Sequence, residues 1–225
     1  MNRLNHVAFI MDGNGRWGKK RKKSRNYGHL QGVKTVQKIV ESSLRLNIPI
    51  ITFYVFSSEN WKRPKVEINF LFNLISRYFD KEINNVMKNK IKINIIGRTN
   101  LLPAGIKKVL KNTIKKTEKN KKLIINLALN YGSKDEISDA FNKIRLKGKK
   151  NSKKEIQKNL YTGQLPDPDI LIRTGGQKRL SNFMLWQLAY SELYFLNKLW
   201  PDFNEKDLKK IMKNYHSVKR NFGSI

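Results

Sequence analysis

Short runs of apolar residues recur along the chain at 6–11, 50–56, 91–96, 123–127, 170–172 and 193–195. Several are continuous rather than alternating, the pattern of strands buried on both faces. Between them lie stretches whose apolar residues fall three and four apart, the period of a helix. Residues 32–46 place Val33, Val36, Ile39, Val40 and Leu44 near this spacing, and residues 70–87 do the same with Leu71, Leu74, Ile75, Tyr78 and Phe79. Residues 102–117, 134–144 and 205–215 are predicted as further helices. The Lys-rich stretch 147–154 reads as a solvated loop running into a short helix. Strand–helix alternation predicts right-handed crossovers and an α/β fold. The expectation is one domain over 1–225, with a central, mostly parallel six-stranded sheet flanked by helices. Ligands of such sheets bind outside the carboxyl ends of the strands, so the residues following each strand are the candidates for chemistry.

Charge changes the picture only in part. The 225 residues carry 47 Lys+Arg against 17 Asp+Glu, a net charge of +30. Such a field attracts anions: nucleic acid, anionic lipid or phosphorylated small molecules. Much of the excess is Lys scattered among Asn and Ile, the mark of compositional bias, so only a basic cluster with a defined geometry counts towards function. Cysteine is absent, which excludes disulfides and thiolate metal sites. No apolar run reaches the roughly 18–20 residues of a membrane-spanning helix. The N-terminus leads straight into a strand-like run with no signal-peptide pattern, and a cytoplasmic location is expected.

The first predicted strand is followed by Asp12-Gly13-Asn14-Gly15-Arg16-Trp17-Gly18. Gly13, Gly15 and Gly18 match the G-x-G-x-x-G dinucleotide fingerprint. Three features oppose a dinucleotide. Asp12 would face the pyrophosphate without a countercharge. Arg16 and Trp17 are bulky where that loop needs close backbone approach. Residues 16–25 then hold seven basic residues in ten, leaving little to pack on a sheet. A diphosphate site with its own metal fits better. Glycines admit backbone N–H groups to phosphate oxygens, Arg16 and Arg25 offer forked charge-assisted bonds, His29 near the next helix start adds a donor, and Asp12 suits Mg²⁺, which takes one or two carboxylates plus phosphate oxygens.

The second strand ends in Phe56-Ser57-Ser58-Glu59-Asn60-Trp61-Lys62-Arg63-Pro64, a mix of hydroxyls, amide, acid, indole and guanidinium that packing alone does not require. The fifth ends in a second Gly-flanked basic loop, with Arg173, Arg179 and Ser181 as phosphate donors. Glu192, just before the last strand, adds a carboxylate. Two anion loops on one edge imply two phosphorylated substrates or one long one. No activated Ser or Cys nucleophile is evident, so the constellation suits a reaction driven by leaving-group stabilisation.

These segments resemble the cis-prenyltransferases, most closely those of the bacterial undecaprenyl diphosphate synthase type. The resemblance is carried by HVAFIMDGNGRWGKK from His6, YGHLQG from Tyr27, FSSENWKRP from Phe56, NLALNYG from Asn126, DILIRTGG from Asp169, RLSNFMLWQLAYSELYF from Arg179 and LWPDF from Leu199, in order along nearly the whole chain. It implies a homodimer that uses Mg²⁺ to condense isopentenyl diphosphate with an allylic diphosphate. Asp12 is then the catalytic, Mg²⁺-linked carboxylate, and Gly13, Asn14, Gly15, Arg16, Trp17, Arg25 and His29 hold the allylic diphosphate. Ser57, Ser58 and Glu59 line the centre. The family's usual proton acceptor falls on Asn60, with Trp61 and Arg63 beside it. Arg173, Arg179, Leu180 and Ser181 bind isopentenyl diphosphate, and Glu192 is the second Mg²⁺ contact. The chain departs from the family pattern at Gln177-Lys178, often Glu-His; at Arg98, often an acid; and at Ser133-Lys134, often Gly-Arg.

An amide is a weak base, so Asn60 is expected to orient a group while a diphosphate oxygen takes the proton. The apolar helix of residues 70–79 is expected to line part of a tunnel for the growing chain. Transient contact with the inner face of the membrane would serve product release, and no nucleic-acid partner is expected. The alternatives are a basic nucleic-acid-binding protein, a non-catalytic prenyltransferase-like subunit and a nicotinamide-dependent enzyme.

Overall fold

The structure is a computed structural model, and it describes residues 2–219. Six strands form one sheet: β1 (His6–Ile10), β2 (Ile50–Ser57), β3 (Ile91–Ile96), β4 (Leu123–Tyr131), β5 (Ile170–Arg173) and β6 (Glu192–Phe195). Their order is β3-β4-β2-β1-β5-β6, and every neighbouring pair is parallel. All five residues of β1 are buried, as its central place requires. The helices are α1 (Asn14–Lys20), α2 (Arg25–Arg45), α3 (Lys65–Lys88), α4 (Ala104–Thr117), α5 (Ser133–Leu146), α6 (Lys153–Asn159) and α7 (Glu205–Ser217). None of the described helices is long and apolar enough to cross a membrane.

The two-residue period of the strands divides the core. Val7 and Phe9 of β1 and Ile51 and Phe53 of β2 pack with Ile39 of α2, Phe72 and Phe79 of α3, Leu110 of α4 and Leu208 of α7. Ala8 and Ile10 face the opposite way, towards Tyr131, Phe183 and Met184. A smaller cluster joins α5 to α6 through Ala140, Ile144, Ile156 and Leu160. The second face also holds a directed polar chain: Asn94 Nδ2 donates to Asn126 Oδ1, Asn126 Nδ2 to Thr52 Oγ1, and Thr52 Oγ1 meets His6 Nε2 at 2.7 Å.

The predicted strands stand where the sequence places them, with β4 running four residues further, to Tyr131. Three helical features differ, one being that α3 starts at Lys65, five residues before the predicted start. Residues 14–20, read from the sequence as part of a glycine-flanked loop, form α1. Helix α2 begins at Arg25, well before residue 32, with Ser24 as its N-cap accepting from Tyr27 N at 3.1 Å. Residues 25–31 lack apolar periodicity, so the cap is their signal.

A candidate active site at the carboxyl edge of the sheet

A glycine opens the turn after β1. Gly13 has φ 111°, in the left-handed region, and a Cβ there would lie 2.7 Å from Leu199 Cδ2. That turn puts Asp12 just beyond the end of β1. Its carbonyl accepts from Trp200 N at 3.0 Å and from Thr174 Oγ1 at 2.8 Å, which fixes its backbone from two sides. Its carboxylate meets Arg16 Nη2 at 3.1 Å and Arg173 Nη2 at 3.0 Å. Arg173, the last residue of β5, has a side chain only 4% exposed. Its Nη1 donates to Ser181 Oγ at 2.8 Å and to the Arg179 carbonyl, and its Nε is buried with no hydrogen-bond partner. A buried guanidinium N–H without an acceptor, next to an opening, suits an anionic oxygen.

That opening is a cleft of about 610 Å³. Asp12, Asn14, His29, Ser57, Glu59, Asn60, Arg63, Arg173, Arg179 and Ser181 all line it. An adjoining compartment of about 320 Å³ shares Asp12, His29 and Arg63 and adds Gly13, Gly15, Arg16 and Arg25. Behind the cleft lies an apolar cavity walled by Val33 and Val36 of α2 and Leu71, Leu74 and Ile75 of α3, with Phe53 and Val55 of β2. Polar anion donors therefore open directly onto an apolar space between two helices. The β2–β4 register shifts between Tyr54 and Phe56 and again before Ser57, an irregularity that re-aims the end of β2 at the cleft rim.

Glu67 was not singled out from the sequence. Its carboxylate is nearly buried and gathers three cleft residues. Arg25 binds it through Nε at 3.1 Å and Nη2 at 3.2 Å, Arg63 Nη1 lies at 3.3 Å and His29 Nε2 at 3.4 Å. Burial alone would raise the Glu67 pKa, but the Arg25 hydrogen bond and the charges of Arg25 and Arg63 outweigh it and hold it below the usual carboxylate range. Burial lowers the His29 pKa against the pull of Glu67, with Arg63 and Arg25 adding to the lowering. The imidazole is therefore neutral at neutral pH, and its single N–H goes to Glu67.

Several predicted site residues stand elsewhere. Trp17 lines neither compartment. Its Nε1 donates to Asp202 Oδ1 at 2.6 Å, it stacks on Tyr27 with centroids 6.0 Å apart, and the Arg21 guanidinium covers its ring at 3.7 Å. Trp61 packs between Phe56 and Phe72 and donates to Asn130 Oδ1 at 2.7 Å. Leu180 packs against the core of the second sheet face. Ser58 faces Gly132. Asn60 does line the cleft, but its Oδ1 accepts from Ser57 N at 3.2 Å, leaving its NH₂ as the free end. That disfavours Asn60 as a proton acceptor. Glu192 is the clearest correction. It pairs in register with Ile170 at the amino end of β6, three residues below Arg173. At about 3.3 Å per residue it lies roughly 10 Å down the sheet, on the opposite edge from Asp12. Within one chain the two carboxylates do not share an ion.

The departures from the family pattern have local partners. Arg98 forks onto Asp139 with bonds of 3.1 and 2.9 Å and reaches Asp135 at 2.9 Å. Gln177 Oε1 accepts from Arg179 Nη1 at 2.6 Å. Among the described residues no group of three or more His, Cys, Asp or Glu stands ready for a metal. One carboxylate, Asp12, beside guanidinium groups that would seat a diphosphate is still a donor set suited to Mg²⁺, which keeps water and phosphate oxygens in most of its positions.

Residues 10–223 match the sequence family described as "Putative undecaprenyl diphosphate synthase". The isoprenyl transferase of Fusobacterium nucleatum is 45% identical over 221 residues, covering 98% of this chain and 96% of that protein. The isoprenyl transferase of Rickettsia sibirica is 46% identical over 224 residues, covering 99% of each. Among solved structures, lavandulyl diphosphate synthase from Lavandula x intermedia, in complex with dimethylallyl diphosphate, superposes with a TM-score of 0.94 at 32% identity over 98% of both chains. A probable undecaprenyl diphosphate synthase from Campylobacter jejuni superposes with a TM-score of 0.86 at 36% identity over 100% of both. Sequence match and sheet topology agree, and the chain belongs to the undecaprenyl diphosphate synthase family of prenyltransferases.

Proposed function

We propose that the whole chain acts as one catalytic domain that condenses isopentenyl diphosphate with an allylic diphosphate, farnesyl diphosphate being the expected primer. The product is a long polyprenyl diphosphate such as undecaprenyl diphosphate, the precursor of the lipid carrier for cell-wall glycans. The observation that carries this reading is the junction at Asp12: two sets of anion donors meet at one carboxylate, directly above an apolar cavity. A substrate with a diphosphate head and a hydrocarbon tail matches both halves.

In this reading Arg16 and Arg25 seat the allylic diphosphate, with His29 walling the same compartment, while Arg173, Arg179 and Ser181 seat that of isopentenyl diphosphate. The allylic C–O bond breaks with its electron pair leaving on the diphosphate, and the fixed cations offset the charge that builds there. The isopentenyl double bond attacks the allylic carbon, forming the new C–C bond. A proton then leaves to give a cis double bond, and a diphosphate oxygen accepts it. Asn60 contributes its NH₂ as an orienting donor. Asp12, together with the diphosphate oxygens, would hold Mg²⁺, whose contribution when bound is to neutralise charge on the departing group. Holding the reacting carbons side by side is worth up to roughly 7–11 kcal/mol in favourable cases. The family relationship supports a homodimer, and a long lipid product supports transient contact with the inner membrane face.

The test is incubation with farnesyl diphosphate, labelled isopentenyl diphosphate and Mg²⁺, with and without chelator, followed by sizing of the lipid products. Chelator-sensitive labelled polyprenyl products are expected. No elongation, together with steeply salt-dependent duplex binding, would favour a basic nucleic-acid-binding protein instead.

A further inference from the structure

The loop that follows β5 and the segment that follows β2 are joined by a hydrogen bond outside the set of anion donors. Asn182 Nδ2 donates to Glu59 Oε1 at 3.0 Å. On its other side Asn182 is tied to the start of α5. Its carbonyl accepts from Ser133 N at 2.8 Å, and its Oδ1 accepts from Lys134 N at 3.0 Å. Leu185 N adds a third tie, to Ser133 Oγ at 2.9 Å. Asn182 takes φ 61° and Ser181 φ 51°. Asparagine adopts this left-handed backbone more readily than most residues.

Neighbouring positions fit the same arrangement. A Cβ on Gly132 would lie 2.7 Å from Asn182 Nδ2 and 2.7 Å from Ser58 Oγ, so glycine there lets the two segments close to this distance. Ser181, one residue before Asn182, accepts from Arg173. Glu59, at the other end of the bond, lies one residue from Asn60 on the cleft wall. Burial would raise the Glu59 pKa, but hydrogen bonds from Asn182, Ser57 and Ser58 help hold it below the usual range, which keeps an ionised acceptor at neutral pH. Asn182 is thus anchored two ways to α5, its loop a third way through Leu185, and Asn182 makes one exposed bond to the 57–63 segment. Breaking that one bond removes the tie from the loop to Glu59, leaving the segment to its contacts at Trp61 and Arg63, without loosening the loop.

We propose that Asn182 is a positioning residue: it latches the 57–63 segment to the loop that follows Arg173 and so sets the separation of the two diphosphate-binding arms. The latch rests on the reading of the cleft as a prenyl-transfer site, and it has a structural consequence that is measurable without turnover. Asn182→Asp keeps the oxygen that caps Lys134 N and a residue type that accepts positive φ, but sets a carboxylate against Glu59. Adding Glu59→Gln reverses donor and acceptor, so that the glutamine amide donates to the new carboxylate.

Amide hydrogen exchange is followed across 57–63 and at 133–134 without substrate, and steady-state kinetics are run on the same proteins. For Asn182→Asp, exchange across 57–63 is expected to rise about tenfold with 133–134 unchanged, and kcat to fall about tenfold with the allylic KM within about twofold. The double variant should restore exchange across 57–63 to within about threefold of the unsubstituted protein. Unchanged exchange across 57–63 in Asn182→Asp, or no recovery of exchange in the double variant, overturns the latch. Absence of prenyl transfer in the unsubstituted protein overturns the cleft reading instead, and the exchange result still decides the latch.

Discussion

Arg173 reaches across from β5 to Asp12 at the end of β1, its Nη2 3.0 Å from Oδ2, with the guanidinium buried and the carboxylate partly open to the cleft. The pair joins two adjacent strands at their carboxyl ends. A buried cation depends on its countercharge, so Asp12 serves the fold as well as the chemistry proposed for it.

Two substitutions separate those roles. Asp12→Ala leaves Arg173 buried without a counterion, a loss of about 2–3 kcal/mol given that Asp12 is partly solvated. Asp12→Asn retains an oxygen acceptor for Arg173 and should cost less stability. Both should cut turnover by roughly a hundredfold or more, because the charge proposed to seat the metal and orient both heads is gone. Thermal unfolding and kcat, measured together, check this. Near-normal turnover in either variant rejects the catalytic role of Asp12.

Glu67 holds Arg25, Arg63 and His29 against one carboxylate, which fixes two guanidinium donors and the imidazole beside them before any anion arrives. Glu67→Gln should loosen them. Allylic diphosphate affinity, read by calorimetry, is expected to fall about tenfold, because ordering the side chains then falls to the binding step. Isopentenyl diphosphate, for which Arg173 and Arg179 are the proposed seat, should be affected less. Equal losses for both substrates would mean that Glu67 supports the cleft as a whole.

The strands were legible because both faces of a parallel sheet are buried, which leaves continuous apolar runs. Helix α1 was not. Its seven residues include Gly15 and Gly18 and one large apolar residue, Trp17, and it is held by packing on α2 rather than by its own pattern. Glu67 carried a weak signal, its i,i+4 spacing from Arg63, but Arg25 lies 42 residues away and only the fold brings it there. Trp17 and Trp61 sit next to anion donors in sequence while their rings turn to Tyr27 and Phe72, since adjacency along a turn or helix does not fix direction. The position of Glu192 ahead of the last strand already held the opposite answer to the one drawn from it. In a parallel sheet, a residue that precedes a strand lies on the edge away from the ligands.

The polar chain beneath β1 predicts a pH dependence of stability. His6 Nδ1 donates to the Pro166 carbonyl at 2.8 Å, so Nε2 is the acceptor for Thr52. Asn126 also donates to that hydroxyl, so a second ring proton would take away the acceptor of the Thr52 O–H and crowd a third proton against its oxygen. Burial lowers the His6 pKa to about 4 from 6.5. The folded protein then binds fewer protons than the unfolded chain between those values. Stability from this group is fully present above pH 6.5 and is lost as the pH falls towards 4, by up to about 3 kcal/mol. Urea unfolding at several pH values should show this slope, and His6→Gln should flatten it while lowering stability at neutral pH. An unchanged slope in the variant assigns the effect to other groups.

Product length should answer to the space between α2 and α3. Leu74 lines the apolar cavity with Val33 and Val36 opposite, and Tyr78, one turn further along α3, borders both this cavity and a second groove near Arg45 and Lys122. In the proposed reaction a chain growing from the cleft would pass Leu71 and Leu74 before it meets Tyr78. Leu74→Trp fills the space ahead of that point, and overpacking there costs about 1–3 kcal/mol if the helices do not part. Shorter products with an unchanged rate of the first condensation are expected, because the diphosphate seats lie at the other end of the cavity. Leu74→Ala should have the opposite effect on length. Sizing the labelled lipids from the three proteins decides the matter: identical length distributions would place the growing chain elsewhere.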